Sequence, residues 1–229
     1  MNAITDYYQE CFEAHGDTAQ GAGWPNVQDR QLRFDVSLDI LNFIASGEPA
    51  EVLDLGCGSG ELLGRMGERG MSFMSYLGVD ALAAPLTQAR AKFPSARFLQ
   101  LDVDACGPED IAALSCDVLV ANGVFTVRRE LSEDAMWDLM TRVLTRLWPV
   151  VRKGIVFNVM SPVVDWKRDD LFHASYDRMA VMLHGLAGRA IGFRADYGLY
   201  EYMAYALKDP SVSKGRSVTP ALERAGDLP

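Results

Sequence analysis

The stretch VLDLGCGSG at residues 52–60 constrains this chain more than any other part of its sequence. Its apolar residues predict a buried β-strand, and its three alternate glycines predict a sharp turn from that strand into a helix. Because glycine lacks a Cβ atom, Gly56, Gly58 and Gly60 allow both the turn and the close approach of a ligand to the main chain. A tight turn without a ligand would also explain the glycines, so the rest of the sequence has to distinguish the two.

Two carboxylates further along the chain favour the ligand. Asp80 closes a second apolar run 20 residues after Gly60, where α/β nucleotide sites place an acid against the ribose hydroxyls. Asp102 closes a third run, within reach of an adenine amino group, and Asp104 is the alternative if that run ends later. The spacing is D-x-G-x-G-x-G, with Glu61 where a dinucleotide motif requires glycine, so a pyrophosphate site is disfavoured.

Short β-patterned runs alternate with longer helical patterns through most of the chain, which is typical of a parallel sheet covered by helices. The predicted strands are residues 51–55, 75–80, 96–101, 117–121 and 154–160, and the predicted helices between them are 61–69, 85–92, 109–114 and 133–147. Right-handed crossovers would place these helices on both faces of the sheet. The sequence therefore predicts an α/β fold with a doubly wound sheet.

The last third of the chain departs from this alternation. A helical pattern at residues 170–186 precedes two β-patterned runs, 189–195 and 200–208, and the link DYGL between them is too short for a parallel crossover. The two runs should therefore pair as an antiparallel hairpin. We expect residues 1–48, with a helix at 30–45, to form a helical cap segment, residues 49–208 to form the ligand-binding domain, and the tail at 209–229 to be poorly ordered.

Composition excludes several kinds of partner. A net charge of −9 opposes the phosphates of nucleic acid, and no basic run offsets it. No apolar run approaches the roughly 18–20 residues that span a bilayer, and the N-terminal sequence lacks the pattern of an export signal, so we expect a cytoplasmic protein without a membrane partner. The four cysteines form no C-x-x-C pair and the three histidines have no ligand spacing, so no metal site is predicted.

The motif VLDLGCGSG, followed by LGVD and FLQLD at these distances, resembles the class I S-adenosylmethionine-dependent methyltransferases over about residues 51–208. The resemblance implies a Rossmann-like, doubly wound, seven-stranded sheet, mostly parallel with an antiparallel last strand, and S-adenosylmethionine as the cofactor. It also implies that the turn at 56–60 holds the methionine part of the cofactor, and that the loop ANGVF lines the mouth where the methyl group is transferred. The residues that it assigns to the cofactor are Asp54, Gly56, Cys57, Gly58 and Gly60 for the methionine part, Asp80 and Ala81 for the ribose, Asp102 and Val103 for the adenine, and Asn122 and Gly123 at the mouth.

Two residues before the sheet are further candidates for the cofactor site. The segment HGDTAQGAGWPN, at residues 15–26, stands where many family members carry a segment that caps the substrate. Trp24 would cover the cofactor, and Arg33 would pair with its carboxylate through a bidentate contact. The alternatives are that Trp24 packs against a helix and that Arg33 is solvated.

The segment DYGLYEY supplies the predicted acceptor residues, because it leaves a strand tip at the edge where such sheets bind ligands. We expect Asp196, Tyr197, Tyr200 and Glu201 to face the pocket, together with Thr126 from the segment GVFTVR. Tyrosines and carboxylates suit the hydroxyls or the ring face of a sugar. Both segments resemble, loosely, a bacterial subgroup that modifies saccharides and other small metabolites.

The kind of acceptor atom is narrowed by what the motifs lack. The loop NGVF differs from the D/N-P-P-Y/F sequence of the members that methylate amino groups of bases and glutamine. The Asp, Asp and Asn ligand set of the magnesium-dependent members is not apparent. We therefore expect O-methylation of a small molecule or saccharide by direct in-line transfer without a metal.

A general base is harder to select. Asp165 follows the fifth strand, and His173 stands with His184 on the helical pattern at 170–186. A turn acid would equally explain Asp165, and a surface or core side chain would explain either histidine. The alternative to an enzyme is a non-catalytic module that binds S-adenosylmethionine and regulates a partner, since fold and cofactor do not imply a reaction.

Overall fold

A single seven-stranded sheet organises the chain in the computed structural model, which describes residues 3–71 and 74–213. The strands are β1 Glu51–Leu55, β2 Ser75–Asp80, β3 Arg97–Gln100, β4 Cys116–Ala121, β5 Val151–Met160, β6 Ile191–Arg194 and β7 Glu201–Leu207. Their order is β3-β2-β1-β4-β5-β7-β6, and β7 runs antiparallel to both of its neighbours while the other pairs are parallel. The predicted sheet and the predicted β6–β7 hairpin are confirmed.

Helices cover both faces of this sheet. The described helices are α1 Ala3–His15, α2 Val27–Ala45, α3 Glu61–Glu68, α4 Ala83–Lys92, α5 Pro108–Ala112, α6 Glu133–Leu147 and α7 Tyr176–Ala187, with short 3-10 turns at Gln20–Ala22, Trp148–Val150 and Pro210–Ser213. Within residues 3–71 and 74–213, no helix is both long enough and apolar enough to cross a membrane.

Alternation along the strands produces two separate hydrophobic cores. Leu53 and Leu119 pack on one face with α6, whereas Val52 and Val118 pack on the other face with α2. Successive side chains of a strand point to opposite faces, so a strand that is apolar throughout must be covered on both sides. This is the physical basis of the doubly wound architecture.

The strand order reverses direction beside β1, which is where such sheets bind ligands. From β1 the chain crosses to β2 and β3 on one side, and then returns to β4 on the other. The connections leave the sheet in opposite directions at the carboxyl ends of β1 and β4, so a crevice opens between them. The glycine turn at residues 56–60 follows β1 directly and therefore lies in that crevice.

Two predicted helices begin three or more residues away from the expected start. Helix α2 begins at Val27, because the Asn26 side chain caps it by accepting a hydrogen bond from the Asp29 main chain at 2.7 Å. Helix α7 begins only at Tyr176, after the cap Ser175. The helical prediction for residues 170–175 was wrong, because this segment is held to neighbouring strand ends by main-chain hydrogen bonds to Thr126 and Met160.

This correction also changes the structural position of His173, one of the two candidates for the general base. His173 precedes α7 and pairs as an isolated bridge with Met160 at the end of β5, whereas His184 does lie on the helix. Of the tail predicted to be poorly ordered, residues 209–213 are described and include a 3-10 turn. The rest of that tail, 214–229, lies outside the described residues.

We predict that α2 is anchored by its buried face. Leu38 is fully buried between α2 and the sheet, so Leu38→Ala should lower the free energy of unfolding by about 2–5 kcal/mol through lost burial and a new cavity. The matched control is Leu32→Ala on the same helix, where the side chain is 36% exposed and the loss should stay below about 1 kcal/mol. Urea unfolding of both variants measures the difference, and equal losses would contradict this account of the core.

Candidate functional site

A cavity of about 240 Å³ opens at the carboxyl ends of β1, β2, β3 and β4. Its wall contains the residues that directly follow these strands. The predicted cofactor residues on the wall are Trp24, Asp54, Gly56, Cys57, Gly58, Asp80, Ala81, Asp102, Val103, Asn122 and Gly123. Arg33 and Gly60 do not reach the wall, although both contact residues near it.

The glycine turn has the backbone that its sequence predicts. Gly56, Gly58 and Gly60 adopt φ angles of 70°, 52° and 81°, in the left-handed region that side chains disfavour. A Cβ atom on Gly56 would lie 2.6 Å from the Val124 side chain, whereas one on Gly58 would meet nothing within 4 Å. The turn is thus tight on one side and open on the side of the cavity.

Asp80 ties this turn to the second strand. One carboxylate oxygen accepts a hydrogen bond from the Gly58 N–H and the other accepts from the Leu82 N–H, both at 2.9 Å. Burial raises the pKa of Asp80, and these main-chain hydrogen bonds oppose that rise. Asp80 therefore orients the loop in addition to lining the cavity.

Asp54 is a buried acid beneath the turn. Its side chain accepts a hydrogen bond from the Tyr76 hydroxyl at 2.6 Å, and the residue is only 3% exposed. Burial raises the pKa of Asp54 to about 7, and the nearby Asp80 carboxylate adds to this effect. Within the described parts of the chain, neither acid forms a salt bridge. Two partly or fully buried acids without a cation favour a positively charged ligand.

The structure distinguishes Asp102 from its alternative, Asp104. Both line the cavity, but the Asp104 carboxylate is held by the Arg142 guanidinium through two hydrogen bonds of 2.6 and 2.9 Å. Asp102 uses one oxygen to accept from the Asp104 N–H at 3.0 Å. Asp102 is thus the carboxylate at this strand end that is not held by an arginine.

The N-terminal segment closes one side of the cavity. Ile4, Thr5, Tyr8 and Phe12 of α1 line it, and the Tyr8 hydroxyl donates a hydrogen bond to the Gly123 carbonyl at 3.0 Å. These α1 side chains were not among the predicted site residues. The spacing of four residues between Ile4, Tyr8 and Phe12 was the available signal, since it places these side chains on one face of a helix.

The segment between α1 and α2 is fastened to the glycine turn. Asp17 forms a salt bridge with Lys92 of α4 at 2.7 Å and accepts a hydrogen bond from the Ser59 hydroxyl at 2.5 Å. Trp24 lies on the cavity wall and packs so closely on Gly123 that a Cβ there would be 2.5 Å from the indole. The cap segment therefore reaches both β1 and β4.

Arg33 is buried, so its predicted alternative, a solvated side chain, was wrong. Its Nε donates to Glu201 at 2.6 Å, and its guanidinium lies 4.4 Å from the centroid of the Trp24 ring. Burial raises the pKa of Glu201, and the Arg33 guanidinium opposes that rise. The Nη1 atom of Arg33 is buried without a hydrogen-bond partner.

Asn122 and Gly123 follow β4 and carry a dense set of hydrogen bonds. The Asn122 side chain donates from Nδ2 to the Ser37 hydroxyl oxygen at 3.0 Å, and its Oδ1 is buried without a partner. The Gly123 N–H donates to Asn158 at 2.7 Å, while its carbonyl accepts from Thr126 and from Tyr8.

The predicted acceptor residues lie outside the cavity wall. Thr126 and Tyr197 are buried, and their hydroxyls donate to the Gly123 carbonyl at 3.0 Å and to Glu201 at 3.3 Å. Asp196 is exposed and paired with Arg194 at 2.8 Å, and Tyr200 is 46% exposed. The prediction that they bind the acceptor concerns a region beside the cavity, at the start of β7.

The two base candidates differ in their surroundings. Asp165 is exposed on the loop that follows β5. His173 donates from Nδ1 to the Ser161 carbonyl at 2.6 Å, which leaves Nε2 as a hydrogen-bond acceptor, and this atom is buried without a partner. Among residues 3–71 and 74–213, no group of three or more His, Cys, Asp or Glu side chains is arranged to hold a metal ion.

Comparison with known families gives a match over the part of the chain that builds the cavity. Residues 52–146 match a family model described as a methyltransferase domain. This segment begins with β1 and ends within α6, so it contains the glycine turn and the ends of β1 to β4.

Two relatives with curated names are also named as methyltransferases. The Mycobacterium tuberculosis protein Rv1506c, provisionally named a methyltransferase, is 28% identical over 177 residues, which are 73% of this chain and 99% of that protein. A trans-aconitate 2-methyltransferase from Deinococcus radiodurans is 30% identical over 136 residues. That alignment covers 59% of this chain and 46% of the relative.

Solved structures share the fold. The plantazolicin methyltransferase BpumL in complex with SAH superposes with a TM-score of 0.60 at 12% identity, over 90% of this chain and 97% of that one. The bifunctional kinase-methyltransferase WbdD has a TM-score of 0.50 at 21% identity, over 86% of this chain and 42% of that one. With a methyltransferase domain at residues 52–146 on this seven-stranded fold, the chain is a methyltransferase that uses S-adenosylmethionine as its methyl donor.

Proposed function

We propose that this methyltransferase binds S-adenosylmethionine in the cavity at the ends of β1 to β4 and methylates an oxygen of a small molecule or saccharide. The observation that carries the proposal is the pair of acids, Asp54 and Asp80, which line the cavity without a cation from the described chain. A sulfonium and an ammonium on one ligand would supply the missing positive charge.

Each part of the cofactor has candidate partners on this wall. Asp80 would accept hydrogen bonds from the ribose hydroxyls, with Ala81 beside it, and Asp102 with Val103 would contact the adenine. The open side of Gly58 leaves space at the main chain. These assignments follow the order of the strand ends.

The amino-acid end of the cofactor would lie near Trp24. The two buried atoms without partners there have opposite character, since Arg33 Nη1 is a donor and Asn122 Oδ1 is an acceptor. An ammonium would satisfy Oδ1, which belongs to a residue of the wall. Arg33 lies against Trp24 and not on the wall, so its positive charge would attract a carboxylate at this end, while Glu201 holds its Nε.

The sulfonium supplies a methyl group that is already activated for transfer, so the protein has to hold an acceptor oxygen in line and to remove its proton where necessary. We propose His173 as the base in preference to Asp165, because its Nε2 is an unpartnered acceptor near the ends of β4 and β5. Thr126 would help to position the acceptor, since it lies between Gly123 and the His173 segment.

Three features support a small acceptor. Helix α1 covers the cavity and limits the size of what can enter. The exposed Tyr200 packs edge-on against Trp166 at 5.1 Å, beside Asp196, and offers an aromatic face to a sugar ring. The Deinococcus relative is named for a small organic acid, and the net charge of −9 disfavours a nucleic acid.

We predict that Asp80 contributes directly to cofactor affinity. Asp80→Asn should weaken binding of S-adenosylhomocysteine by roughly 10- to 100-fold, equivalent to about 1–3 kcal/mol, because it removes a charged acceptor and disturbs the Gly58 turn. Asp104→Asn is the matched control, since Arg142 already occupies that carboxylate, and its effect should stay below about threefold. Calorimetric titration measures both, and unchanged binding by Asp80→Asn would show that the ribose lies elsewhere.

We also predict a pH dependence that originates at Asp54. With a folded pKa of about 7, the free protein carries Asp54 largely protonated below pH 7, and a cationic ligand favours the ionised form. Affinity for S-adenosylmethionine should therefore rise between pH 6 and 8, with release of a proton, and Asp54→Asn should flatten the profile. Titrations in buffers of different ionisation enthalpy measure the proton release.

The free energy of unfolding should respond to pH in the opposite direction to the cofactor affinity. Because the folded pKa of Asp54 lies above its unfolded value, its contribution to stability is lost as pH rises to about 7. Asp54→Asn should thus raise the melting temperature at pH 8 relative to its effect at pH 5. The control Asp117→Asn should lower the melting temperature equally at pH 5 and pH 8, because the Arg152 hydrogen bond, outweighing partial burial, lowers the pKa of Asp117 and its contribution is complete at both values. If Asp54→Asn changed the melting temperature no more favourably at pH 8 than at pH 5, the raised pKa would be refuted.

The acceptor is tested by transfer of an isotope-labelled methyl group to panels of organic acids including trans-aconitate, saccharides, phenols, amines and oligonucleotides. We expect a product from an oxygen acceptor of low mass, and base lability separates methyl esters from ethers. His173→Gln should lower kcat by about 100-fold or more without changing the affinity for S-adenosylhomocysteine, while His184→Gln, on the exposed part of α7, should not. Tight cofactor binding with no transfer to any panel would instead favour a non-catalytic module.

A further inference from the structure

The hydroxyl of Ser37 makes one donated and one accepted hydrogen bond. Ser37 is fully buried on α2, and its hydroxyl donates to the Phe34 carbonyl at 2.9 Å. A serine hydroxyl has a single hydrogen, so the remaining contact of this oxygen, with Asn122 at 3.0 Å, must be one in which it accepts. Ser37 can therefore face only a donor.

This restriction fixes the orientation of the Asn122 amide. The NH2 group has to face Ser37, and Oδ1 has to face away from it. A reversed amide would either set two acceptor oxygens against each other or require the Ser37 hydroxyl to give up its hydrogen bond to the Phe34 carbonyl, and both are unfavourable in a buried position. Oδ1 is left buried without a partner on a residue that lines the cavity.

We infer that Ser37 is a positioning residue that makes the cavity present a hydrogen-bond acceptor, Asn122 Oδ1, to the amino-acid end of the cofactor. The inference rests on the proposed binding of S-adenosylmethionine in this cavity. A ligand group that donates, such as an ammonium, satisfies Oδ1, whereas a carboxylate at that point would meet a second acceptor.

Helix α2 supplies the complementary polarity one turn earlier. Arg33 lies four residues before Ser37, so both side chains are on the same buried face of α2. Arg33 Nη1 is a buried donor without a partner, and Glu201 fixes its guanidinium at Nε. One helix face thus sets the acceptor at Asn122 and a positive charge against Trp24, and together they favour one direction of a zwitterionic end group.

The test compares two ligands that differ only at this end. S-adenosylhomocysteine carries the amino-acid group, and methylthioadenosine retains the adenosine thioether without it. In the full-length protein, Ser37→Ala frees the Asn122 amide to rotate, so the Kd for S-adenosylhomocysteine should rise about tenfold, while that for methylthioadenosine should change less than about twofold. The control Ser161→Ala removes a buried hydroxyl outside the cavity and should leave both values unchanged.

A second variant separates positioning from packing. Asn122→Asp presents an acceptor oxygen in either orientation, so adding Ser37→Ala to it should raise the Kd for S-adenosylhomocysteine by less than about twofold. Thermal unfolding of each variant verifies that it is folded. If Ser37→Ala weakened both ligands equally, or lost the same factor in the Asn122→Asp background, Ser37 would act only through packing and the inference would be wrong. Failure of the wild-type protein to bind S-adenosylhomocysteine would instead overturn the proposed function itself.

Discussion

The hydrogen bonds that join Asp80 to the Gly58 and Leu82 main chain hold the rest of the site in place. They connect the turn after β1 to the turn after β2, so the two strand ends behave as one surface. A carboxylate that is buried at such a junction is costly unless its oxygens are occupied. Here the main chain donates a hydrogen bond to each oxygen, and the residue lines the cavity. Loop geometry and ligand recognition therefore depend on the same side chain.

Helix α2 has a similar double role on the other side of the cavity. Its buried leucines join the core beneath β4 and β5, and its polar residues Arg33 and Ser37 reach the strand ends within that same buried face. Apolar burial supplies the stability, which offsets the cost of burying polar groups nearby. The polar pairs then contribute direction, because each hydrogen bond allows only one arrangement of donor and acceptor.

Local patterns in the sequence predicted the features that depend on neighbours in the chain. Such features include the strand at 51–55, the glycine turn, and the acids Asp80 and Asp102. They were predictable because a strand end and the residue that follows it are adjacent in the sequence. The Arg33–Glu201 pair joins residues 168 positions apart, and the Ser37–Asn122 pair joins residues 85 apart. No periodicity carries that information, so these contacts require the folded chain. The misplaced start of α7 has the same cause, since distant main-chain partners override the helical pattern of residues 170–175.

Helix α1, which covers the cavity, is held by weaker contacts than the sheet is. The sheet is held by continuous main-chain ladders and two apolar cores. Helix α1 adds one buried residue, Ile4, to these cores and otherwise contacts its surroundings through side chains such as Tyr8 and Tyr7, on which Arg129 stacks at 4.7 Å. Segments with few such contacts open at a fraction of the global unfolding free energy. We therefore expect α1 to open locally while the sheet stays intact, so that amide hydrogens in α1 exchange with solvent earlier than those of β1 and β4. Release of a tightly held nucleoside would then be limited by this local opening and not by the stability of the domain.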